Sequence, residues 1–322
     1  MALSRALLPG LCIVSATALL AQTGSIGGPV SGYVFDARGH SLRVLHGIPG
    51  AALVGDPVDL GGLGLNAAWI SPNLDSALAI ASDGTAHLFR LDSGRASEVQ
   101  AEGMVAPERA VYSPSGSALA LVTPGSVRMY KGLPGAPAVT GTIALPADTT
   151  AAPGAMAFGR MRRPGGGPVA VSDDGLYLLY GSGATVQLLG AGGDSRTLTD
   201  AAAGALPVFA RGNHDAAVID ANTIALFQDA AGAATVRRLP GVSAVRGADF
   251  TADGKQLFLA AASVTALDLT TGDRSAIACD CRPAGLTRMG TAYRLNDLGR
   301  GPLWLLDASA AAPRIVFVPA AQ

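Results

Sequence analysis

Two groups of residues offer the most chemistry: the cysteines of CDCRP, Cys279 and Cys281, and the arginines of GRMRRPGGG, Arg160, Arg162 and Arg163. A thiol pair separated by one residue could be a redox couple, half of a zinc site or a structural link. In an extended strand the two side chains share a face, with Cα atoms near the upper limit for bridging. A turn, which Pro283 favours, would bring them closer. Zinc would want about two more ligands, and the four histidines (His40, His46, His87 and His214) are scattered. The expectation is a disulfide or an inert pair. The arginine cluster could grip a carboxylate or an acidic partner. The same Pro/Gly-rich composition also suits a flexible linker with solvated arginines.

Other chemical candidates read as turn residues. Asp173-Asp174-Gly175 and Asp253-Gly254 suggest calcium, but a cation needing six to eight oxygens finds too few neighbours there. His214, in GNHD, occupies a matching turn. GGLGLN at Gly61 lacks the third glycine and the helix of a dinucleotide fingerprint. The three glutamates, Glu98, Glu102 and Glu108, lie in one stretch. No nucleophile elbow, phosphate loop or H-E-x-x-H helix occurs. The expectation is therefore no catalytic residue, no metal and no cofactor.

The elements that must position these residues are strands. The 322-residue chain holds 42 glycines and 20 prolines among short apolar runs, which builds an all-β fold with tight turns. AAWISPNLDSALAIA, RAVYSPSGSALALV, VAVSDDGLYLLY, LPVFARGNHDAAVID and GADFTADGKQLFLA each read as strand, turn, strand. A second hairpin follows each one. The turn anchors Ser71, Ser113, Ser172, Ala210 and Thr251 are spaced by 42, 59, 38 and 41 residues. Apart from the 59, this is the ~40–45-residue period of a four-stranded propeller blade. One such sheet cannot bury both faces alone, and radial stacking buries them.

The stretches SPNLDSALAI, SPSGSALALV, SDDGLYLLY and TADGKQLFLA resemble the hairpins of WD40-like and YVTN-type β-propellers. No Trp-Asp blade ending, Gly-His opening or Tyr-Val-Thr-Asn stretch accompanies them, so the resemblance implies architecture only. Five blades are clear between about Leu65 and Ala278. SGYVFDARGHSLRVLHG at the N-terminus and LTRMGTAYRL, PLWLLDA and RIVFVP at the C-terminus supply the rest. Separate end blades closed by strand exchange make seven, the expected number; a shared blade would make six. Trp304, Ile315 and Phe317 alternate as core positions would. The spacing of 59 places an insertion around residues 145–168.

The opening MALSRALLPGLCIVSATALLAQTG has the n-region, h-region and small-residue order of a secretory signal over residues 1–21, with cleavage after Ala21 or Ala18. Residues 22–322 would then form one propeller domain, periplasmic or extracellular, with no stable membrane insertion. Cleavage removes Cys12 and leaves an even number of cysteines. A formal net charge of -1 gives no electrostatic reason for a nucleic-acid partner. These features point to a non-catalytic platform for a protein or peptide. The alternative is a hydrolase working in the central funnel, since several exported seven-bladed propellers of this kind are lactonases.

Overall fold

A computed structural model describes residues 28–146, 167–299, 301–310 and 312–320. The signal segment, Arg160, Arg162, Arg163 and most of the insertion lie outside these residues. Every regular element described is a strand, and the strands form seven antiparallel sheets in a propeller ring. No helix among the described residues is long and apolar enough to cross a membrane.

Blades two to seven each take four consecutive strands, hydrogen-bonded in chain order. Their first strands, Leu65–Ile70, Arg109–Tyr112, Val169–Val171, Leu206–Phe209, Gly247–Phe250 and Thr287–Met289, surround the axis. Seven clusters of buried apolar side chains fill the seven interfaces between neighbours. Leu78 and Leu88 of blade two meet Leu119, Leu121 and Tyr130 of blade three, for example. Each fully buried leucine contributes roughly 1.5–3 kcal/mol, so the interfaces rather than the sheets hold the ring together.

The turn anchors have a shared physical task. Ser172 N–H donates to the Tyr177 carbonyl (3.0 Å), and Tyr177 N–H donates back to Ser172 Oγ (3.0 Å). Ser113 with Ala118 and Thr251 with Gln256 repeat the clasp. Gly116 supplies the φ of 76° that closes the blade-three tip. Blade five has Ala210 at the anchor, and there Asn213 Oδ1 takes the N–H of Asp215 instead (2.9 Å). Ser172→Ala is therefore expected to cost about 1–3 kcal/mol, the penalty for a buried donor left unsatisfied. Urea unfolding measures it; an unchanged midpoint would mean that this tip repairs itself as blade five does.

Blade one departs from the others. It has three strands, Val30–Asp36, Ser41–His46 and Leu53–Pro57. At the far end of its first strand, the His40 carbonyl accepts the N–H of Leu65, which begins the inner strand of blade two (2.8 Å). At the near end, Gly32 packs on the side chain of Met289, which ends the inner strand of blade seven. Val30–Asp36 thus runs against both neighbouring inner strands. Its faces agree with a second strand: Tyr33 joins the cluster toward blade two and Val34 the cluster toward blade seven. Leu179 and Leu178 in the second strand of blade four divide in the same way. Blade one therefore supplies counterparts of a second, third and fourth strand.

Two expectations need correction. The ring has seven blades, but no strand exchange closes it among the described residues: blade seven draws its strands from 287–318 and blade one from 30–57. Packing closes it, with Val34 and Leu45 against Met289, Leu303 and Leu305. Phe317 is 53% exposed rather than core, because Arg314–Val318 is the outermost strand of its blade. Trp304 and Ile315 are half-buried.

Cys279 and Cys281 sit with Cα atoms 5.0 Å apart, inside the range a disulfide spans, and Cys281 is buried between blades six and seven. Reduction of natively isolated protein is expected to add about two daltons and lower Tm. Free thiols before reduction would contradict this.

Candidate functional site

The six inner strands leave an axial cavity of about 350 Å³. Its wall is largely apolar, with Trp69, Tyr112, Val208 and Met289 from four different blades, and Pro72 and Pro114 stand at the mouth formed by the hairpin tips. Blade packing sets these positions, because each inner strand is short and held by its own second strand.

Three charged side chains interrupt the largely apolar wall: Arg294, which pairs with Asp297 (3.3 Å), and the pair of Arg288 with Asp249. Arg288 of blade seven grips Asp249 of blade six, Nε to Oδ2 at 3.1 Å and Nη2 to Oδ1 at 3.2 Å. Nη2 also donates to the Phe250 carbonyl, which accepts the Tyr293 hydroxyl as well (3.1 Å). The guanidinium lies 5.2 Å from the centroid of the Tyr293 ring, a cation–π distance. Arg288 is 4% exposed. Burial disfavours its charge, but the charge and hydrogen bonds of Asp249 outweigh that and raise its pKa, so the cation persists. Burial pushes the Asp249 carboxyl upward, against the pull of Arg288. Burial likewise raises the Tyr293 and Tyr112 phenols, which stay protonated.

The tips around the mouth are tied together. Asp173 Oδ1 accepts the N–H and the hydroxyl of Ser115 (2.7 and 2.6 Å), and its Oδ2 accepts Gly212 N–H (2.7 Å). Arg211 of blade five donates to Asn73 of blade two (3.3 Å), and Asn73 donates to the Ser115 carbonyl. Gly290 N–H of blade seven reaches the Pro72 carbonyl of blade two (2.7 Å). Asp174 and His214, both turn residues as expected, also join blades four and five (2.9 Å). Asp173 and Asp174 are thus spent on holding neighbouring blades in register.

These contacts make stability acid-sensitive. Partial burial would raise Asp174, but the Ser172 hydroxyl, Leu176 N–H and His214 together hold it below the usual value. Asp307, 1% exposed, is likewise lowered: burial is outweighed by the Ser309 hydroxyl and N–H and by Arg314. A carboxylate with a lowered folded pKa contributes stability that is full above its unfolded value, about 3.9, and is lost as pH falls through the folded value. Thermal melts followed by circular dichroism are expected to show Tm falling below about pH 4. Equal Tm at pH 6 and pH 3 would contradict this.

Asp249 and Arg288 were not singled out from the sequence, although a signal existed. Two residues before the turn anchor, blades two to five carry Trp69, Val111, Ala170 and Val208, whereas GADF puts Asp249 there and TRMG puts Arg288 at the matching place in blade seven. Cys279 and Cys281 lie away from the cavity lining. Among the described residues, no group of three or more His, Cys, Asp or Glu is placed to hold a metal ion.

No family model matches the chain, and no curated protein matches it in sequence. Solved structures do match its shape. A protein of unknown function from Desulfotomaculum acetoxidans aligns with a TM-score of 0.55 at 14% identity, covering 90% of this chain and 99% of its own. A Bacteroides uniformis protein, provisionally assigned as a 6-phosphogluconolactonase, gives 0.57 at 12% identity, covering 90% and 96%. Its Bacteroides fragilis counterpart gives 0.55 at 13%, covering 90% and 94%. Likeness at such identity establishes the propeller fold and leaves activity open.

Proposed function

We propose that this chain is an exported, non-catalytic propeller acting as a rigid platform for a protein or peptide, with the axial cavity as its receptor site. One observation carries the reading: each charged group in the cavity wall has a partner, Arg288 with Asp249 and Arg294 with Asp297, and most of the remaining wall is apolar. Arg288 and Asp249 form a two-point pair, so neither is left to activate a nucleophile or stabilise a developing charge. The volume lies at the small end of the range for ligand pockets, suited to one or two inserted apolar side chains. The tied rim supports the reading, because a preformed receptor loses little freedom on binding.

The provisional lactonase assignment of two structural neighbours keeps a hydrolase as the competing reading. One experiment separates the two. Mature protein is titrated with an array of short apolar peptides while the fluorescence of Trp69 in the cavity wall is followed, and is assayed in parallel with 6-phosphogluconolactone and gluconolactone. The platform predicts a saturable fluorescence change that Trp69→Phe abolishes, and lactone opening at the spontaneous rate. Lactone turnover that disappears in a folded Asp249→Asn variant would overturn it.

A further inference from the structure

We infer that Cys279 and Cys281 form a thiol–disulfide exchange site for a dithiol on another polypeptide, with Cys279 as the attacked sulfur and Cys281 as the leaving one. The inference stands apart from the axial cavity and does not depend on the platform reading.

The pair lies on the link between the outer strand of blade six, Arg274–Ile277, and the inner strand of blade seven, Thr287–Met289. Four features separate it from a structural cross-link. The bond joins cysteines two apart in sequence, and closing so short a loop takes little freedom from the unfolded chain. The link is also held without it. Ile277 pairs with Val264 on one side; on the other, Ala284 and Gly285 N–H donate to the Leu295 carbonyl (2.7 and 3.2 Å), and Arg246 donates to the Pro283 carbonyl (3.2 Å). The two sulfurs differ in access. Cys281 is 5% exposed, among Phe258, Tyr293 and Leu306, whereas Cys279 is half-buried between the exposed Ala278 and Asp280. Finally, Cys281 N–H donates to Cys279 Sγ (2.9 Å). A backbone donor aimed at one sulfur favours a thiolate there, while apolar burial disfavours one at the other.

The roles follow from that asymmetry. A thiolate of the partner attacks Cys279 Sγ, the sulfur it can reach. A bond forms between those two sulfurs, the Cys279–Cys281 bond breaks, and its electron pair leaves on Cys281, which takes up a proton and stays as a buried thiol. The partner's second thiol loses its proton and attacks the partner sulfur of the mixed disulfide. The partner is left as a disulfide, oxidised by the two electrons that the cysteine pair has gained, and Cys279 departs as a thiolate beside the Cys281 N–H. In reverse, Cys279 opens a partner's disulfide and Cys281 displaces the product. A dithiol suits the site better than a single thiol, because its second sulfur is already in place to close the exchange.

The test uses the oxidised mature chain with the capped dithiol peptide GCGGCG or with glutathione, the products being alkylated and weighed. The expected result is a bond that opens at millimolar peptide while circular dichroism shows the fold retained. Once it is open, Cys279 alkylates about tenfold or more faster than Cys281, as a reachable thiolate does against a buried thiol. Cys281→Ser, offered the oxidised peptide, accumulates a mixed disulfide at Cys279 that Cys279→Ser does not form. A bond that opens only after urea unfolds the protein would overturn the inference and leave a structural cross-link. Equal alkylation of the two thiols would overturn the division of roles, and this arm needs no variant to fold. Opening by glutathione as fast as by the peptide would overturn the partner class and leave a site for small thiols. None of these results bears on the cavity, whose reading stands or falls with the peptide array and the lactone assay.

Discussion

Replacing Arg288 with methionine is expected to destabilise the fold by about 3–5 kcal/mol, the usual penalty for leaving one charge of a buried pair without its partner. The substitution roughly preserves apolar bulk, so lost packing contributes little. What remains is a desolvated Asp249 carboxyl without the two hydrogen bonds from Arg288, and a Phe250 carbonyl that keeps the Tyr293 hydroxyl. The double variant Arg288→Met, Asp249→Leu removes both charges and is expected to recover most of the loss, since a buried pair and an apolar substitute are often close in energy. Urea unfolding of wild type, both single variants and the double gives the coupling between the two residues. A single-variant cost below about 1 kcal/mol would place the pair in the class of solvated surface bridges. The cavity would then be wet and its charges solvated, which contradicts a receptor whose charged groups are already paired.

Phe258→Ala should cost about 3–5 kcal/mol, as for other buried aromatic truncations. The ring is fully buried between blades six and seven and meets the Tyr293 ring edge-on, with centroids 5.3 Å apart at 78°. Removing it opens a hole at an interface that two rigid sheets cannot readily collapse to fill. Phe317→Ala is the matched control. That ring also meets an aromatic neighbour edge-on, Trp304 at 5.7 Å, but from the exposed outer strand, and its loss is expected to cost about 1 kcal/mol or less. Thermal and urea unfolding compare the two. Similar losses would mean that the outer strand of blade seven is covered by something, and that the interfaces do not dominate stability.

The contrast between these phenylalanines marks where the sequence was readable. The blades were legible because Ser113, Ser172 and Thr251 do the same local work: a hydroxyl that clasps the turn must sit at a fixed distance from two apolar strands. Alternation in RIVFV, by contrast, says that one face is inward but not whether another sheet covers the outer one, so Phe317 read as core. The pairing of Asp249 with Arg288 joins residues 39 apart on different blades, and no local pattern encodes it. The charge in GADF was the visible trace. Direction along the axis was hidden for the same reason: SGYVFDARGHSLRVLHG reads as a hairpin whichever strand leads, and the contacts of His40 with Leu65 and of Gly32 with Met289 show that its first strand runs backward.

A ring that, among the described residues, is closed by packing has a consequence for the order in which it forms. Each blade is contiguous in the chain, so six of its seven interfaces join neighbours in sequence and can be laid down one after another at small entropic cost. The seventh, between residues 30–57 and 287–318, brings together segments from opposite ends of the described chain. Its closure entropy grows with the logarithm of that separation, and among the described residues no shared strand offsets it. The seam should therefore be the last interface to assemble and the first to part, and the propeller's lifetime as a closed ring is set there rather than in its best-packed blades.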